Sequence, residues 1–324
     1  MRITWSVLLL LVFVHDYSGP ARVQLPGNVR VTATAVDIVP GDPAQKRVGG
    51  LTYLGGVHLQ ETGQGRGGYS GIAVAGDRFT LMGDGGNLLS FRLRLPATLQ
   101  DVRAWALPDG PGTGWQKRDR DSESLAFDRE SGTAWVGFEH HNQIWRYSAD
   151  LRTATGHAAP RAMRDWPEAG GAEAMARLAD GSVVVLSESS RPREKRGLRH
   201  AIRFAGDPVA APEDGYRFLY RPPAGFRPVD AVQLPDSRLL VLNRAFGLPY
   251  GFTAKLTLVD VAAIAPGATV RGREIATLAP PTLFDNFEGV TALREGDATV
   301  IWVVSDDNQQ FPQRTLLLKF RLDA

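Results

Sequence analysis

Glu288-Gly289-Val290-Thr291-Ala292-Leu293, a short gap, then Trp302-Val303-Val304-Ser305-Asp306: an acid heads one apolar run, and a second apolar run ends on an acid. The same arrangement occurs four more times. Its first half reads Ser70-Gly71-Ile72, Glu123-Ser124-Leu125, Glu173-Ala174-Met175 and Asp230-Ala231-Val232. Its second half closes 14 to 18 residues later, at Asp84, Glu139, Glu188 and Arg244. Each copy reads as a strand, a turn and a returning strand. In an antiparallel hairpin the start of the first strand lies beside the end of the second, so both polar tips reach one edge of the sheet. The starts recur at intervals of 53, 50, 57 and 58 residues, a spacing suited to the blades of a β-propeller. Blades set around an axis bring their tips to one mouth of the central channel.

The all-β reading holds along the chain, where short β-rich runs alternate with Gly, Pro, Asp and Asn and sustained helical periodicity is missing after residue 20. Four strands are expected in each of the first four blades, with Arg161–Trp166 as the outer strand of blade two. The fifth blade supplies three strands before the chain ends. Gly50–Leu59 is the strand left over, and pairing it with Thr315–Leu322 would close the ring and remove an exposed edge. Val29–Val39 adds one strand at the rim. Five blades fit better than six, the sixth requiring Val29–Val39 to nucleate a blade of its own. Residues 1–20 read as an export signal, 21–45 as an extension with one strand, and 46–324 as the propeller.

Composition excludes several classes. With no cysteine there are no disulfides, no Cys-ligated zinc, no iron–sulfur cluster and no thiol catalysis. A net charge of +2, without a basic cluster interleaved with aromatics, argues against nucleic acid. Met1-Arg2 followed by the apolar run Ile3–Val14 has the shape of a secretory signal and is short for a membrane span, which needs about 20 residues. A periplasmic or secreted monomer is expected, touching a membrane only if that N-terminus stays uncleaved.

Some motif matches do not survive their context. Gly63-Gln-Gly-Arg-Gly-Gly68 satisfies G-x-G-x-x-G but precedes a strand, so it is expected to be a flexible loop. Asp119, Asp121, Glu123 and Glu130 imitate an EF-hand loop, yet Ser124 stands where glycine is needed. Ile72 breaks a nucleophile elbow at Ser70.

The candidate site is therefore the ring of tips. A serine or acid at a strand start can simply cap backbone N–H groups, but carboxylates converging on one axis repel unless cations neutralise them. Arg244 is one remedy. A hard divalent cation is another, and an oxygen-only donor set suits Ca²⁺ better than zinc. Glu123, Glu173, Asp230, Glu288, Asp306 and Asp307 are the expected ligands, with Glu123, Glu173, Glu288 and Asp306 also placed to act in catalysis. Arg244, Ser70 and His140 are the expected contacts to a small anionic substrate bearing phosphate or carboxylate. The basic loop Ser189–Arg199 is expected to be a solvated surface.

Glu123-Ser-Leu-Ala, Glu173-Ala-Met-Ala, Asn286-Phe-Glu-Gly-Val and Trp302-Val-Val-Ser-Asp-Asp-Asn…Gln313-Arg-Thr-Leu-Leu-Leu resemble the phytase-like family named for the "esterase-like activity of phytase". The resemblance spans about residues 46 to 324. It implies an exported bacterial propeller with an esterase or phosphoesterase activity carried at Glu123, Glu173, Glu288, Asp306 and Asp307. A non-catalytic binding propeller of the cell envelope and a Ca²⁺-dependent lactonase-like propeller are the alternative readings.

Overall fold

A computed structural model describes residues 23–128 and 130–323. The proposed export signal lies outside them. Five sheets form the ring of a β-propeller, and their innermost strands contact one another in cyclic order. Blade one comprises Tyr69–Ala75, Arg78–Gly83, Asn87–Arg94 and Thr98–Ala106. Blade two comprises Ser122–Asp128, Thr133–Phe138, Gln143–Ser148 and Ala154–Ala158. Blades three and four start at Ala172–Arg177 and Arg227–Gln233, and blade five at Phe287–Glu295.

The ring closes with a strand from the other end of the chain. Leu51–Thr62 pairs antiparallel with Thr315–Leu322, in register from Leu51↔Leu322 to Leu59↔Thr315. Arg30–Ala35 then lies along the outer edge of Leu51–Thr62. It extends blade five and does not found a sixth blade. Thr269–Arg271 joins the outer edge of blade three in parallel, on the way to the last strand of blade four.

One expected strand is misplaced. The outer strand of blade two is Ala154–Ala158, while Arg161–Met163 forms a 3₁₀ turn after Pro160. His157 is directly opposite Trp145 and stacks on it with ring centroids 4.4 Å apart, an alignment unavailable to the turn. Proline cannot donate to a ladder, and it favours a turn beginning just beyond it.

Burial explains why so many strands are apolar on both sides. Successive side chains point to opposite faces, and each blade is covered on both faces by its neighbours. Hydrophobic clusters accordingly fill each interface, such as Met82, Leu88, Val136 and Phe138 between blades one and two. Leu240, Leu256, Ile301 and Leu318 do the same between blades four and five. Each large side chain removed from water there contributes about 1.5–3 kcal/mol.

Candidate site at the mouth of the propeller

Every innermost strand starts with a β-bulge. The register shifts at Ser70, Glu123, Glu173, Val229 and Glu288, each unpaired between two paired neighbours. A bulge re-aims the extra side chain, and here it turns Glu123, Glu173 and Glu288 toward the axis. On the returning strands of blades one, two, three and five the residue just past the last pair is Asp84, Glu139, Glu188 and Asp306 in turn, while in blade four Arg244 is itself the last paired residue, opposite Arg227. Both sets of tips meet at one end, as the hairpin geometry requires.

Asp230 is the exception. Blade four carries its bulge at Val229, so Asp230 occupies the place of Gly289 and not that of Glu288. A shift of one residue sends a strand side chain to the opposite face. Asp230 is buried between blades four and five, where Oδ2 accepts from Val290 N at 2.7 Å and Oδ1 from Ala231 N at 2.8 Å. It is a fastener between blades. Ser70 sits at the bulge itself yet also fastens blades: its Oγ donates to Ser122 O of blade two at 2.7 Å, just as Ser124 Oγ donates to Ala172 O of blade three at 2.7 Å. Asp307 is held by the neighbouring loop and strand, accepting from Gly68 N, Gln309 N and Thr315 Oγ1.

The carboxylates that do converge form an unbroken chain of neighbours. Burial pushes the carboxyl of Glu123 well above the usual range, and Glu173, Asp121, Glu139 and Asp84 push it further. Burial does the same to Glu173, reinforced by Glu139 and Glu188 and opposed by Arg244. Asp121 is raised to about 8 by burial and then Glu139, against the pull of Lys117. Asp306 is raised to about 7, again chiefly by burial, with Asp84 and Asp307 adding to it. Three cations answer these acids among the described residues: Lys117, Arg244 and Arg227, whose Nη1 stands 3.4 Å from Glu188 Oε2. Lys117 pairs with Asp84 and stands 4.0 Å from Asp121. Arg244 pairs with Glu288 and, at 3.0 Å, with Glu188, while its Nη1 donates to Asn286 Oδ1 at 2.7 Å.

Asp121, Glu139 and His140 each offer a donor atom to one spot, all within 4.8 Å of one another. His140 Nε2 is 2.9 Å from Asp121 Oδ2, and its buried Nδ1 has no partner. His140 therefore orients Asp121, and the neighbouring His141 Nε2 is 3.7 Å from Asp119. The expected residues brought together are Glu123, Glu173, Glu288, Asp306, Arg244 and His140. Asp121 and Lys117 were missed as site residues, although both lie within a few positions of Glu123.

The glycine-rich loop is part of this site. Gly67 and Gly68 have φ of +67° and +69°, and a Cβ on either would come within 2.7 Å of a carboxylate oxygen, of Asp307 and Asp84 respectively. Only glycine combines that backbone with so close an approach. Below the acids the channel holds a cavity of about 200 Å³ whose lining includes Ile72, Leu125, Met175, Val232 and Val290. A wider cavity of about 400 Å³ between blades one and two, beside Trp105 and Phe127, touches none of these carboxylates.

Fold and site define a β-propeller with a carboxylate-lined mouth. The family model "Esterase-like activity of phytase" matches residues 64–309, and the chain belongs to this phytase-like family. Family and fold together fit a hydrolase-like propeller. No curated protein matches the sequence significantly. Among solved structures, the chain is similar to a functionally unknown protein from Desulfotomaculum acetoxidans, at 12% identity over 77% of this chain and 72% of that one, with a TM-score of 0.35. It is also similar to Kuenenia stuttgartiensis hydrazine synthase, at 11% identity over 74% and 77% of the two chains, with a TM-score of 0.42. A luciferin-regenerating enzyme is similar at 10% identity over 94% and 92%, with a TM-score of 0.39. At these values none of the three bears on function.

Proposed function

We propose that the mouth holds Ca²⁺ and that the protein is an exported hydrolase of phosphate esters. The observation that carries this reading is the surplus of acid withdrawn from solvent: buried Asp121, Glu139 and Glu173 and half-buried Glu123 crowd one arc of the ring, with Lys117 on its flank. Such a set favours either protonation or a hard cation with oxygen ligands. Asp121, Glu123, Glu139 and Glu173 would hold the ion, and His140 would keep Asp121 in position as outer-shell partners do. Bound there, Ca²⁺ supplies a Lewis-acidic partner for phosphate oxygens and lowers the pKa of a coordinated water.

The chain's own groups divide the remaining work. Arg244 is spent on Glu188, Glu288 and Asn286, so it shapes the ring and leaves the substrate anion to cations nearer solvent. Lys117, with 44% of its side chain exposed, and Arg227, with 52%, are placed for that contact. Export fits the same reading, because extracellular modules bind Ca²⁺ at about 10⁻⁴–10⁻³ M, and the cysteine-free sequence with its apolar N-terminus supports it. The test is metal analysis of the purified protein, followed by phosphomonoesters, phosphodiesters and lactones assayed with and without EDTA. Phosphoester turnover abolished by chelation is expected. Turnover that survives EDTA would overturn the metal role, and inactivity on every substrate would leave a binding propeller.

A further inference from the structure

Among the described residues, the large apolar side chains most exposed to solvent are concentrated at one end. Trp115, Phe246, Leu248, Tyr250 and Phe311 are all more than half exposed, Leu248 at 96% and Phe311 completely. Trp115 lies between blades one and two, and Phe311 follows the tip residue Asp306. Phe246, Leu248 and Tyr250 crown a hairpin that continues past Arg244, its strands still paired from Arg244↔Ala254 to Gly247↔Gly251. All of these loops are on the mouth side. The turns at the opposite end, such as Gly76–Asp77, Ala179–Gly181 and Pro235–Ser237, bear no large exposed apolar side chain.

Charge at this end is sorted by depth. Glu173, Glu188, Glu288 and Asp306 are buried within the funnel. The loop from Ser189 to Leu198, also on the mouth side, carries the exposed side chains of Arg191, Arg193, Lys195 and Arg196. None of these four is in an ion pair among the described residues. The described chain also begins here: Val23 N donates to Trp115 O at 3.1 Å, and the apolar run Ile3–Val14 lies just upstream in the sequence.

We propose that the mouth end of the propeller docks on an anionic lipid bilayer. Trp115, Phe246, Leu248, Tyr250 and Phe311 enter the headgroup layer, where amphipathic aromatic rings are favoured. Arg191, Arg193, Lys195 and Arg196 rest on acidic headgroups, an attraction that falls off within a Debye length of about 10 Å at 0.1 M salt. The surface extends membrane contact beyond the N-terminus, and it does not depend on whether the ring binds a metal.

The full chain has no cysteine, so one introduced thiol reports one place. Leu248→Cys and, at the opposite end, Asp236→Cys each receive an environment-sensitive fluorophore. Both are mixed with vesicles of phosphatidylglycerol and phosphatidylcholine, with EDTA present throughout. The label at 248 is expected to shift to the blue and become shielded from iodide, while the label at 236 stays unchanged. Adding Arg191→Glu and Arg193→Glu, or Phe311→Asp, should weaken the response at 248 roughly tenfold. An unchanged label at 248, or equal shifts at 248 and 236, would overturn the proposal. An equal response on pure phosphatidylcholine would overturn its anionic character. A shift at 248 that grows with protein concentration without vesicles would show that a second copy covers this face instead.

Discussion

Arg244 Nη2 lies 3.0 Å from Glu188 Oε1, and through this guanidinium three blades are tied together. Arg244 belongs to blade four, Glu188 to blade three, and its other partners Asn286 and Glu288 to blade five. A lysine keeps the charge but presents one point in place of a planar fork. Arg244→Lys should therefore fold with a lowered melting temperature. Arg244→Ala, which strands Glu288 and leaves Glu188 only Arg227 as a cationic partner, should lose roughly 2–4 kcal/mol. Urea denaturation in Ca²⁺-free buffer reads both; an Ala variant as stable as the parent would refute the bridging role.

Glu123→Gln and Glu173→Gln each remove one negative charge with little change in shape. Without Ca²⁺ both should stabilise the protein, since repulsion in the ring is relieved. With Ca²⁺ the ion-induced rise in melting temperature should shrink, a tenfold loss of affinity corresponding to about 1.4 kcal/mol. Calorimetric titration gives the affinity directly. If the Ca²⁺ response is the same in both variants as in the parent, neither residue is a ligand.

Acidity should stabilise the metal-free ring. Asp121 and Asp306 are raised to about 8 and about 7, and burial likewise raises Glu61, beside the Tyr69 hydroxyl, to about 7. Groups that hold protons more tightly folded than unfolded contribute stability that is complete below their unfolded values near 4 and is lost as pH rises through the folded ones. Unfolding free energy in EDTA should thus fall between about pH 4 and 8, and saturating Ca²⁺ should flatten or reverse that slope. Denaturation series at fixed ionic strength test this. A metal-free protein that gains stability steadily over the same range would contradict the pKa assignments.

Asp230 separates structure from site. Asp230→Ala leaves Val290 N without its acceptor in a buried interface and should cost about 1–3 kcal/mol. The affinity for Ca²⁺ should stay at the parental value, because Asp230 lies off the ring. Loss of Ca²⁺ binding in a variant that still folds would return Asp230 to the site.

Although the pairing of Arg30–Ala35 with Leu51–Thr62 decided the count, the period of about 55 residues, the strand alternation and the partnerless strands at the two ends of the chain favoured five blades over six and pointed to their closure. These are properties of tandem sequence, since each blade repeats the same local pattern and a propeller cannot leave an edge unpaired. The sequence also placed Glu123, Glu173, Glu288, Asp306 and Arg244 at one mouth, because hairpin geometry brings a strand's start beside its partner's end. Which of two adjacent residues faces the channel was decided only in the tertiary structure. The bulge at Val229 turns Asp230 into an interface, and the bulge at Glu288 turns its counterpart to the axis. Ser70 likewise is taken up by the carbonyl of Ser122, 52 residues along the chain. Glu139 and His140, read from the sequence as a tip and its neighbour, are joined by Asp121 and Lys117 through contacts between different blades and loops. A bulge is a relation between two strands and a shared charge a relation between blades, so neither is written in the local alternation of apolar and polar residues from which the fold was read.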